Sequence, residues 1–520
     1  MKRLLTQPRK AQAGSSYSAG LAFSLASFVA IGLITLFTSV LSARLYGITV
    51  IGQSALVLAP VAIVTLLSTV REQPAMVREL AKLKPRHPRA TGVFLAVFSF
   101  SFILTAAVTF VGVIASYFAF HGPLHNPKLL APAVVGLFGY LVIINTCWNF
   151  DGIFGAFRAG RELFAVRLHQ AVIYGVLLVI LALFTHSVWG LLFAFLGSWL
   201  TALLHRLLLL RRVIRWRVPQ AEIRAGFSTL REIIAFGLKV TPGSLATGLS
   251  EASGTWILGV TNSINVVGAY SRAWTFATRL TELNWRITEM LLPTLVQRRH
   301  VGDAEGFDRV LTDSLRYAAF GMLLPAAVGG GAAEAIMHLF GAGFDTAATA
   351  LRLLLFVPML QTLTAIQGAA LMAYNRPLLT AFAQIARLII TLVGGVVLTL
   401  AFGMTGMAIA MAAGALLSFG IYFVILRVSV HASRPSVLHH RQLAGLAAAY
   451  SSGFLIAHLL EHQVSGAPGI VAAVVGGSVT YIALGLGIGG MTPHDRARLR
   501  TAVRQVTGSR VFSAEMSGAA

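Results

Sequence analysis

The sequence predicts an all-α polytopic membrane protein with about fourteen transmembrane helices, from its composition, its apolar run lengths and the placement of its charges. Of its 520 residues, 56% are hydrophobic and 11% are charged, and the mean hydropathy is +0.77. A soluble globular protein carries about 25% charged residues, so a chain with fewer than half of them cannot cover itself with a water-compatible surface. The composition therefore excludes a soluble enzyme, a disordered scaffold and a collagen-like fibre.

Apolar runs long enough to cross a bilayer recur along the whole chain. A hydrocarbon core of about 30 Å requires about 20 apolar residues per helix, and fourteen runs meet that requirement. The first run follows a basic start and exceeds the length of a cleaved signal peptide, so we expect it to be retained as a signal-anchor. The seventh and eighth runs are unusually polar. The runs fall near 18–42, 48–70, 91–118, 129–150, 169–187, 189–210, 233–260, 266–296, 316–340, 348–373, 378–402, 405–428, 441–460 and 468–490.

The basic residues predict the orientation of these spans. The chain has 41 Lys+Arg against 18 Asp+Glu, a formal net charge of +23. The connections after the second and sixth spans are rich in arginine, whereas the connections on the opposite side carry almost no positive charge. The positive-inside rule then places both termini in the cytoplasm. Most of the excess charge therefore sets topology and contacts anionic lipid headgroups, and no nucleic-acid partner is expected.

A weak internal repeat predicts the domain organisation. Gly52 in "RLYGITVIGQSALVLAP" matches Gly268 in "GVTNSINVVGAYSRAWT", and Gly152 matches Gly368, both at an offset of 216 residues (268 − 52 and 368 − 152). Two six-helix halves in parallel repeat, with two appended helices, account for this offset. The predicted segments are a basic cytoplasmic N-terminus (1–17), an N-lobe (18–210), a basic cytoplasmic linker (211–232), a C-lobe (233–428), two further spans (429–490) and a basic, partly disordered cytoplasmic tail (491–520).

The eighth span concentrates charges where they are expensive. It contains Arg272, Arg279, Glu282, Arg286 and Glu289, and each charge at the bilayer centre costs about 2.5–3.5 kcal/mol. On a continuous α-helix the five form a stripe about 100° wide, which must face the protein interior or a water-filled cavity. The surplus of arginine suits an anionic substrate, because a guanidinium binds phosphate bidentately and stays charged. A structural ladder of ion pairs between neighbouring turns is the alternative.

Other charges in or beside spans have several interpretations. Lys239 and Glu251 lie in the seventh span. Glu251 either pairs with an arginine of the eighth span or couples to a proton or cation. Arg44 and Asp151 lie at the ends of the first and fourth spans, where an interfacial position and substrate contact both stay open. Two more charges within spans have no assigned role: Arg387 and Glu334.

Several motifs are missing from the sequence. There is no GxxxxGK[ST] phosphate loop, so the chain has no nucleotide-driven motor of its own. There is no HExxH motif either, and no catalytic residue, cofactor or metal site is predicted. The loop histidines lack metal-ligand partners in the sequence; they are His121, His125, His431, His439 and His440.

Three stretches carry a resemblance to a known superfamily. They are "ARLYGITVIGQSALVLAPVAIVTLLSTV", "VVGAYSRAWTFATRLTELNWRITEMLLPTLVQ" and "FDTAATALRLLLFVPMLQTLTAIQGAALMAYNRP". With fourteen spans in two lobes, the chain resembles the multidrug/oligosaccharidyl-lipid/polysaccharide (MOP) exporter superfamily, and within it the polysaccharide flippase branch. The lipid II flippases are more distant cousins.

The resemblance implies a fold and a function. The fold would be a V of two helix bundles that opens alternately to either side of a bacterial cytoplasmic membrane. The cargo would be a polyprenyl-(pyro)phosphate-linked saccharide, and the partners would be membrane lipids and the glycosyltransferases or polymerase of polysaccharide synthesis. Carried over to this sequence, the phosphate-binding residues would be Arg272, Arg279 and Arg286. Lys239 and Arg44, as charges in or beside spans, are the further substrate-binding candidates. Glu251, Glu282 and Glu289 would tune the cavity or couple transport to H⁺ or Na⁺.

Two other functions are weighed against this one. An integral-membrane glycosyltransferase, polymerase or ligase would use the same lipid-linked donors, but such enzymes usually need a larger outer loop than this chain offers. A drug/cation antiporter of the same superfamily would move a cationic substrate, which surplus arginines would repel. We therefore expect a secondary-type transporter and not an enzyme.

Overall fold

A computed structural model describes residues 15–488, apart from 71, 158, 216–217, 375, 430–439 and 465. Within these ranges the structure does not describe the side chains at 15–29, 74, 212, 236, 239–240, 282–290, 377, 429, 440–441 and 467. The predicted tail at 491–520 lies outside the described residues, as do most of the predicted N-terminal segment and the loop histidines His431 and His439. The side chains of Lys239, Glu282, Arg286 and Glu289 also lie outside them.

Every regular element in the described part of the chain is a helix, which confirms the predicted fold class. Short 3₁₀ helices occur at Pro127–Leu129, Arg279–Thr281 and Phe344–Ala347, and a π-helical turn occurs at Tyr140–Ile144. The α-helices are α1 (Ser15–Leu67), α2 (Glu72–Leu80), α3 (Pro88–His121), α4 (Leu130–Gly139), α5 (Asn145–Ala156), α6 (Gly160–Phe184), α7 (Val188–Val213), α8 (Gln220–Thr261), α9 (Ile264–Thr278), α10 (Glu282–His300), α11 (Ala304–Gly331), α12 (Ala333–Leu339), α13 (Ala348–Leu354), α14 (Phe356–Ala373), α15 (Pro377–Ser429), α16 (His440–Gln463) and α17 (Ala467–Gly487).

Two of these helices each contain two predicted spans. Both α1 and α15 have 53 residues, which would extend about 80 Å at 1.5 Å per residue, far beyond a bilayer core of about 30 Å. Each is broken at a glycine with positive φ, Gly47 (φ 77°) in α1 and Gly403 (φ 56°) in α15. Glycine suits these positions because it has no Cβ to clash in that conformation. The breaks fall between the first and second and between the eleventh and twelfth predicted spans.

Long apolar helices make the chain a multi-pass membrane protein. Nine helical stretches in the described residues are long and apolar enough to cross a membrane, and α11 with α12, bent by 73°, adds a tenth if the pair is counted as one span. Large apolar side chains lie exposed on them, such as Leu183 (79%) and Phe184 (81%) at the end of α6, as expected for surfaces that face lipid. The segments α8 and α9–α10 are absent from this set, in agreement with their predicted polarity.

The chain divides into two compact units, Met1–Thr241 and Pro242–Ala520. The boundary lies inside α8, whereas the predicted linker between the lobes is at 211–232. Residues from 220 onward within that predicted linker are already helical, as the first turns of α8.

The first unit buries its core between α2, α3, α5 and α7. Phe94 and Phe150 pack against each other with tilted rings whose centroids are 5.8 Å apart, and Leu80, Ile153 and Leu210 pack in the same cluster. The first turns of α8 pack directly against the first turns of α3 in this unit. A Cβ added at Gly226 would lie 2.2 Å from the carbonyl carbon of Gly92. The two helix backbones are therefore in direct contact.

The second unit packs α10, α11, α14 and α15 around one core. Leu311, Ile366 and Leu426 are at most 2% exposed there. The hairpin of α16 and α17 rests on α11, where Tyr481 donates a hydrogen bond to the Phe320 carbonyl at 2.8 Å. The appended pair of helices is thus an integral part of the second unit.

The α3–α8 contact gives a stability prediction. Gly226→Val is expected to destabilise the first unit by about 1–3 kcal/mol or more, because the new side chain meets backbone that cannot move aside. The midpoint of thermal unfolding in detergent measures this effect. The matched control is Gly155→Ala in α5, where an added Cβ has no atom within 4 Å. Equal midpoints for the two variants would contradict the predicted contact.

Candidate functional site

The charged eighth span is not one continuous α-helix. It consists of α9, a 3₁₀ turn at Arg279–Thr281, and α10. A 3₁₀ turn advances by about 120° per residue instead of 100°, so the angles calculated for a continuous α-helix shift for the residues after this turn. Arg272 lies on α9 and is half-buried, as is Arg279 in the turn itself. The side chains of the other three stripe members lie outside the described residues.

The predicted substrate residues outside this span have different surroundings. Arg44 is exposed on α1, three positions before the break at Gly47. Lys239 lies on α8 in the first unit, and its side chain is outside the described residues. The substrate contacts of these residues and of the stripe therefore stay predictions.

Glu251 lies in a hydrogen-bonded chain that links three segments of the second unit. Its Oε1 accepts a hydrogen bond from Nε2 of Gln361 on α14 at 2.9 Å. The Oε1 of Gln361 accepts in turn from Oγ1 of Thr281, in the 3₁₀ turn, at 3.3 Å. Gln361 is 8% exposed, so this amide joins α8, the turn and α14 inside the protein.

Arg387 on α15 supplies a positive charge that interacts with Glu251. Arg387 is 2% exposed, and its Nε and Nη2 have no hydrogen-bond partner among the described residues. A buried guanidinium requires a compensating charge, which Glu251 provides. From the sequence, Glu251 either pairs with an eighth-span arginine or couples to a proton or cation; Arg387 of the eleventh span is a further charge that acts on it. We call Glu251, Thr281, Gln361 and Arg387 the unit 2 polar cluster.

Three members of the unit 2 polar cluster, Thr281, Gln361 and Arg387, are not among the predicted site residues. Arg387 is a charge within an apolar run of the sequence, a pattern that indicates a functional or paired residue. Gln361 gives no such signal, because an amide in a transmembrane helix is as common at helix contacts as at binding sites.

The hydrogen bonds of Gln361 to Glu251 and Thr281 give a second stability prediction. Gln361→Leu is expected to destabilise the protein by about 1–3 kcal/mol, since it leaves Glu251 and Thr281 without this partner. Gln367→Leu on the same helix is the matched control, because both polar atoms of Gln367 are buried with no hydrogen-bond partner among the described residues. We expect that control to be neutral or stabilising. A larger loss of thermal stability in the control than in Gln361→Leu would contradict the assignment.

In the first unit, Asp151 and Arg206 form a buried ion pair. Arg206 donates from Nε to Oδ1 at 2.7 Å and from Nη2 to Oδ2 at 3.2 Å, and it is 1% exposed. Its guanidinium also lies 5.8 Å from the centre of the Trp199 ring. Arg206 lies inside α7, within the sixth predicted span and not in the basic connection that follows it. The carboxylate of Asp151 makes that burial tolerable.

Comparison with known proteins assigns the family. Residues 40–345, which are 306 of the 520 (345 − 40 + 1), match the family described as "Polysaccharide biosynthesis protein". The chain belongs to this family. It is also 28% identical over 171 residues to the "Probable low-salt glycan biosynthesis flippase Agl15" of Haloferax volcanii, a match that covers 32% of this chain and 35% of that protein. The chain thus matches only about a third of the length of this relative.

Solved structures show the same fold. A lipid II flippase, MurJ, in an inward closed conformation has a TM-score of 0.64 at 12% identity, over 89% of this chain and 98% of MurJ. A MOP superfamily transporter from Pyrococcus furiosus has a TM-score of 0.56 at 18% identity, over 78% of this chain and 96% of that one. An inward-facing multidrug resistance transporter of the MATE family has a TM-score of 0.55 at 17% identity, with the same coverage. The resemblance to the MOP superfamily is therefore confirmed at the level of fold.

Proposed function

We propose that this protein moves a polyprenyl-(pyro)phosphate-linked saccharide across a bacterial cytoplasmic membrane for cell-envelope polysaccharide synthesis. The family match over residues 40–345 carries this proposal. The name of the Haloferax volcanii relative, a probable flippase in glycan biosynthesis, supports it. The same proposal gives the chain cytoplasmic termini, a secondary-type alternating-access cycle without enzymatic activity, and the glycosyltransferases or polymerase of the same synthesis as partners.

The physical problem of such a cargo is its headgroup. The polyprenyl tail dissolves in lipid, but a phosphate or pyrophosphate with its sugars cannot enter a hydrocarbon core without its charge being balanced. Arginine suits this role because it stays charged and binds phosphate through two parallel hydrogen bonds. We assign this role to the substrate-binding residues Arg272, Arg279, Arg286, Lys239 and Arg44.

The acidic residues of the second unit would set the balance of charge around the headgroup. We assign this tuning, or coupling to H⁺ or Na⁺, to Glu251, Glu282 and Glu289. The hydrogen bond from Gln361 and the charge of Arg387 support the assignment for Glu251, because both hold its carboxylate inside the unit 2 polar cluster. The charge balance around a carboxylate depends on the cations near it, so Glu251 would respond to H⁺ or Na⁺ that approaches the cluster.

Flipping by the purified protein in liposomes tests the proposed function. The cargo is a polyprenyl-pyrophosphate saccharide loaded on the inner leaflet, and its appearance outside is followed by an added glycosidase. We expect cleavage to exceed that of protein-free liposomes, and a neutral polyprenyl glycoside without phosphate to move no faster than in those liposomes. No acceleration for the charged cargo would contradict the proposal. Transfer of the saccharide to an acceptor would instead support a membrane glycosyltransferase, polymerase or ligase.

A further inference from the structure

The last turn of α16 carries a group of side chains that can ligate a metal. His458, Glu461 and His462 follow one another at i, i+3 and i+4, which places them on one face of the helix. One ligand atom from each lies within 4.8 Å of the other two. The two imidazole rings have centroids 4.4 Å apart. This arrangement is independent of the residues assigned to substrate.

Residues of α12 and α13 complete the surroundings of these three side chains. The Oε2 of Glu334 lies 3.7 Å from Nε2 of His462. The other oxygen of Glu334 is 2.8 Å from Nη2 of Arg352, which holds that carboxylate in place. The backbone N–H of Ala335 donates to Oε1 of Glu461 and so orients the second carboxylate.

Two buried atoms in this group have no hydrogen-bond partner among the described residues. They are Nδ1 of His458 and Oε2 of Glu461. A buried polar atom without a partner costs about 1–3 kcal/mol, and such atoms are rare enough in folded proteins to need an explanation. An unsatisfied nitrogen and an unsatisfied carboxylate oxygen in one group of potential metal ligands are explained by a cation that binds both.

We propose that His458, Glu461 and His462, with Glu334 as a fourth protein ligand, bind a divalent transition-metal ion of the Zn²⁺ type. Two imidazoles and two carboxylates are ligands that zinc uses, with bonds of about 2.0–2.2 Å. Small rotations about the side-chain bonds bring ligand atoms from the observed separations to the spacing of such bonds. Zinc then satisfies both buried atoms described above.

Charge and access also favour a cation at this place. Glu334 and Glu461 bring two negative charges, and Arg352 compensates one of them. The side chains of His462 and Glu334 are 52% and 43% exposed, so an ion can reach the group from solvent. Because the ligands come from α16 and α12, the metal would join the α16–α17 hairpin to the rest of the second unit.

The sequence contains a signal for this site that the search for HExxH does not detect. Residues 458–462 read H-x-x-E-H, the reverse order, which also occurs in zinc proteins. The prediction of no metal site therefore rested on one orientation of the motif. The structure adds Glu334, which is 124 positions from His458 (458 − 334) and has no local signal.

Zinc titration of the full-length protein tests the proposal. The protein, without a histidine tag, is stripped with EDTA in detergent and titrated with Zn²⁺, and bound metal is counted after gel filtration. We expect one Zn²⁺ per chain. The double variant His458→Ala/His462→Ala is expected to lose at least about tenfold in affinity, and Glu334→Gln should weaken binding in the same direction.

A matched variant and a spectroscopic measurement serve as controls for the zinc titration. His121→Ala/His186→Ala removes two exposed histidines of the first unit that also lie against aromatic rings, Tyr117 and Tyr46, and it should bind as the wild type does. Should the α16 variant fail to fold, X-ray absorption at the zinc edge of the wild type decides, since two imidazole ligands are expected. Absence of stoichiometric zinc in the wild type, unchanged affinity in the α16 variant, or a spectrum without imidazole would overturn the proposal.

Discussion

Asp151→Ala is expected to destabilise the first unit by about 3–5 kcal/mol, since it leaves Arg206 as an uncompensated buried charge. The wild-type pair has both oxygens of Asp151 engaged by one guanidinium that is 1% exposed. The side chain of Asp151 is 17% exposed, whereas Arg206 itself has almost no access to solvent that could replace the lost carboxylate. This is the largest effect on stability that we expect from a single substitution in this chain.

Labelling of Cys147, the only cysteine of the sequence, measures this loss of stability. Cys147 is buried on α5, one turn before Asp151, and its Sγ lies 3.8 Å from the Trp199 carbonyl oxygen. A thiol-reactive dye therefore labels it only when this part of the first unit opens. We expect the Asp151→Ala protein to be labelled at a much lower temperature than the wild type.

Two further variants separate the cost of an unpaired charge from simple loss of contacts. Arg167→Ala removes an outer partner of Asp151, 3.7 Å away and 52% exposed, and should cost no more than about 1 kcal/mol. Asp151→Leu/Arg206→Leu removes both charges and should recover much of the stability that Asp151→Ala loses. If the double variant were no more stable than Asp151→Ala, the ion pair would not be the source of the effect.

The combined variant Arg272→Ala/Arg279→Ala/Arg286→Ala is expected to reduce flipping of the phosphate-linked cargo by at least about 100-fold. A hydrogen bond between charged groups contributes about 1.5–3 kcal/mol, which is about 10- to 150-fold for each contact. The measurement is the initial rate in the liposome assay, at equal protein incorporation. This is the largest effect on activity that we expect.

A matched variant controls for the change in net charge. Arg224→Ala/Arg231→Ala/Arg309→Ala also removes three arginines, all of them exposed, and should leave the rate within about twofold of the wild type. Unimpaired transport by the Arg272/Arg279/Arg286 variant would show that these arginines form a structural ladder and do not contact the cargo. A variant that fails to incorporate is replaced by the three single substitutions, whose rates should each fall.

The apolar runs of the sequence are sufficient to predict an all-helical multi-pass membrane protein and the approximate positions of many of its helices. Hydrophobic length is a local property, because a helix in lipid must satisfy its own backbone and present about 20 apolar residues. For the same reason, the sequence alone distinguishes α8 and α9–α10 from the other spans by their polarity. The short turns at Gly47 and Gly403 are likewise visible as interruptions between apolar runs.

The tertiary structure alone decided which charges meet. Asp151 and Arg206 are 55 positions apart, and Gln361 and Glu251 are 110 positions apart, so no local pattern pairs them. The 3₁₀ turn at Arg279–Thr281 also escaped prediction, because it depends on the segments packed against it. A charge within an apolar run predicts from the sequence that a partner is needed. Which residue is that partner depends on how the helices pack in the interior. That choice is a property of the folded chain.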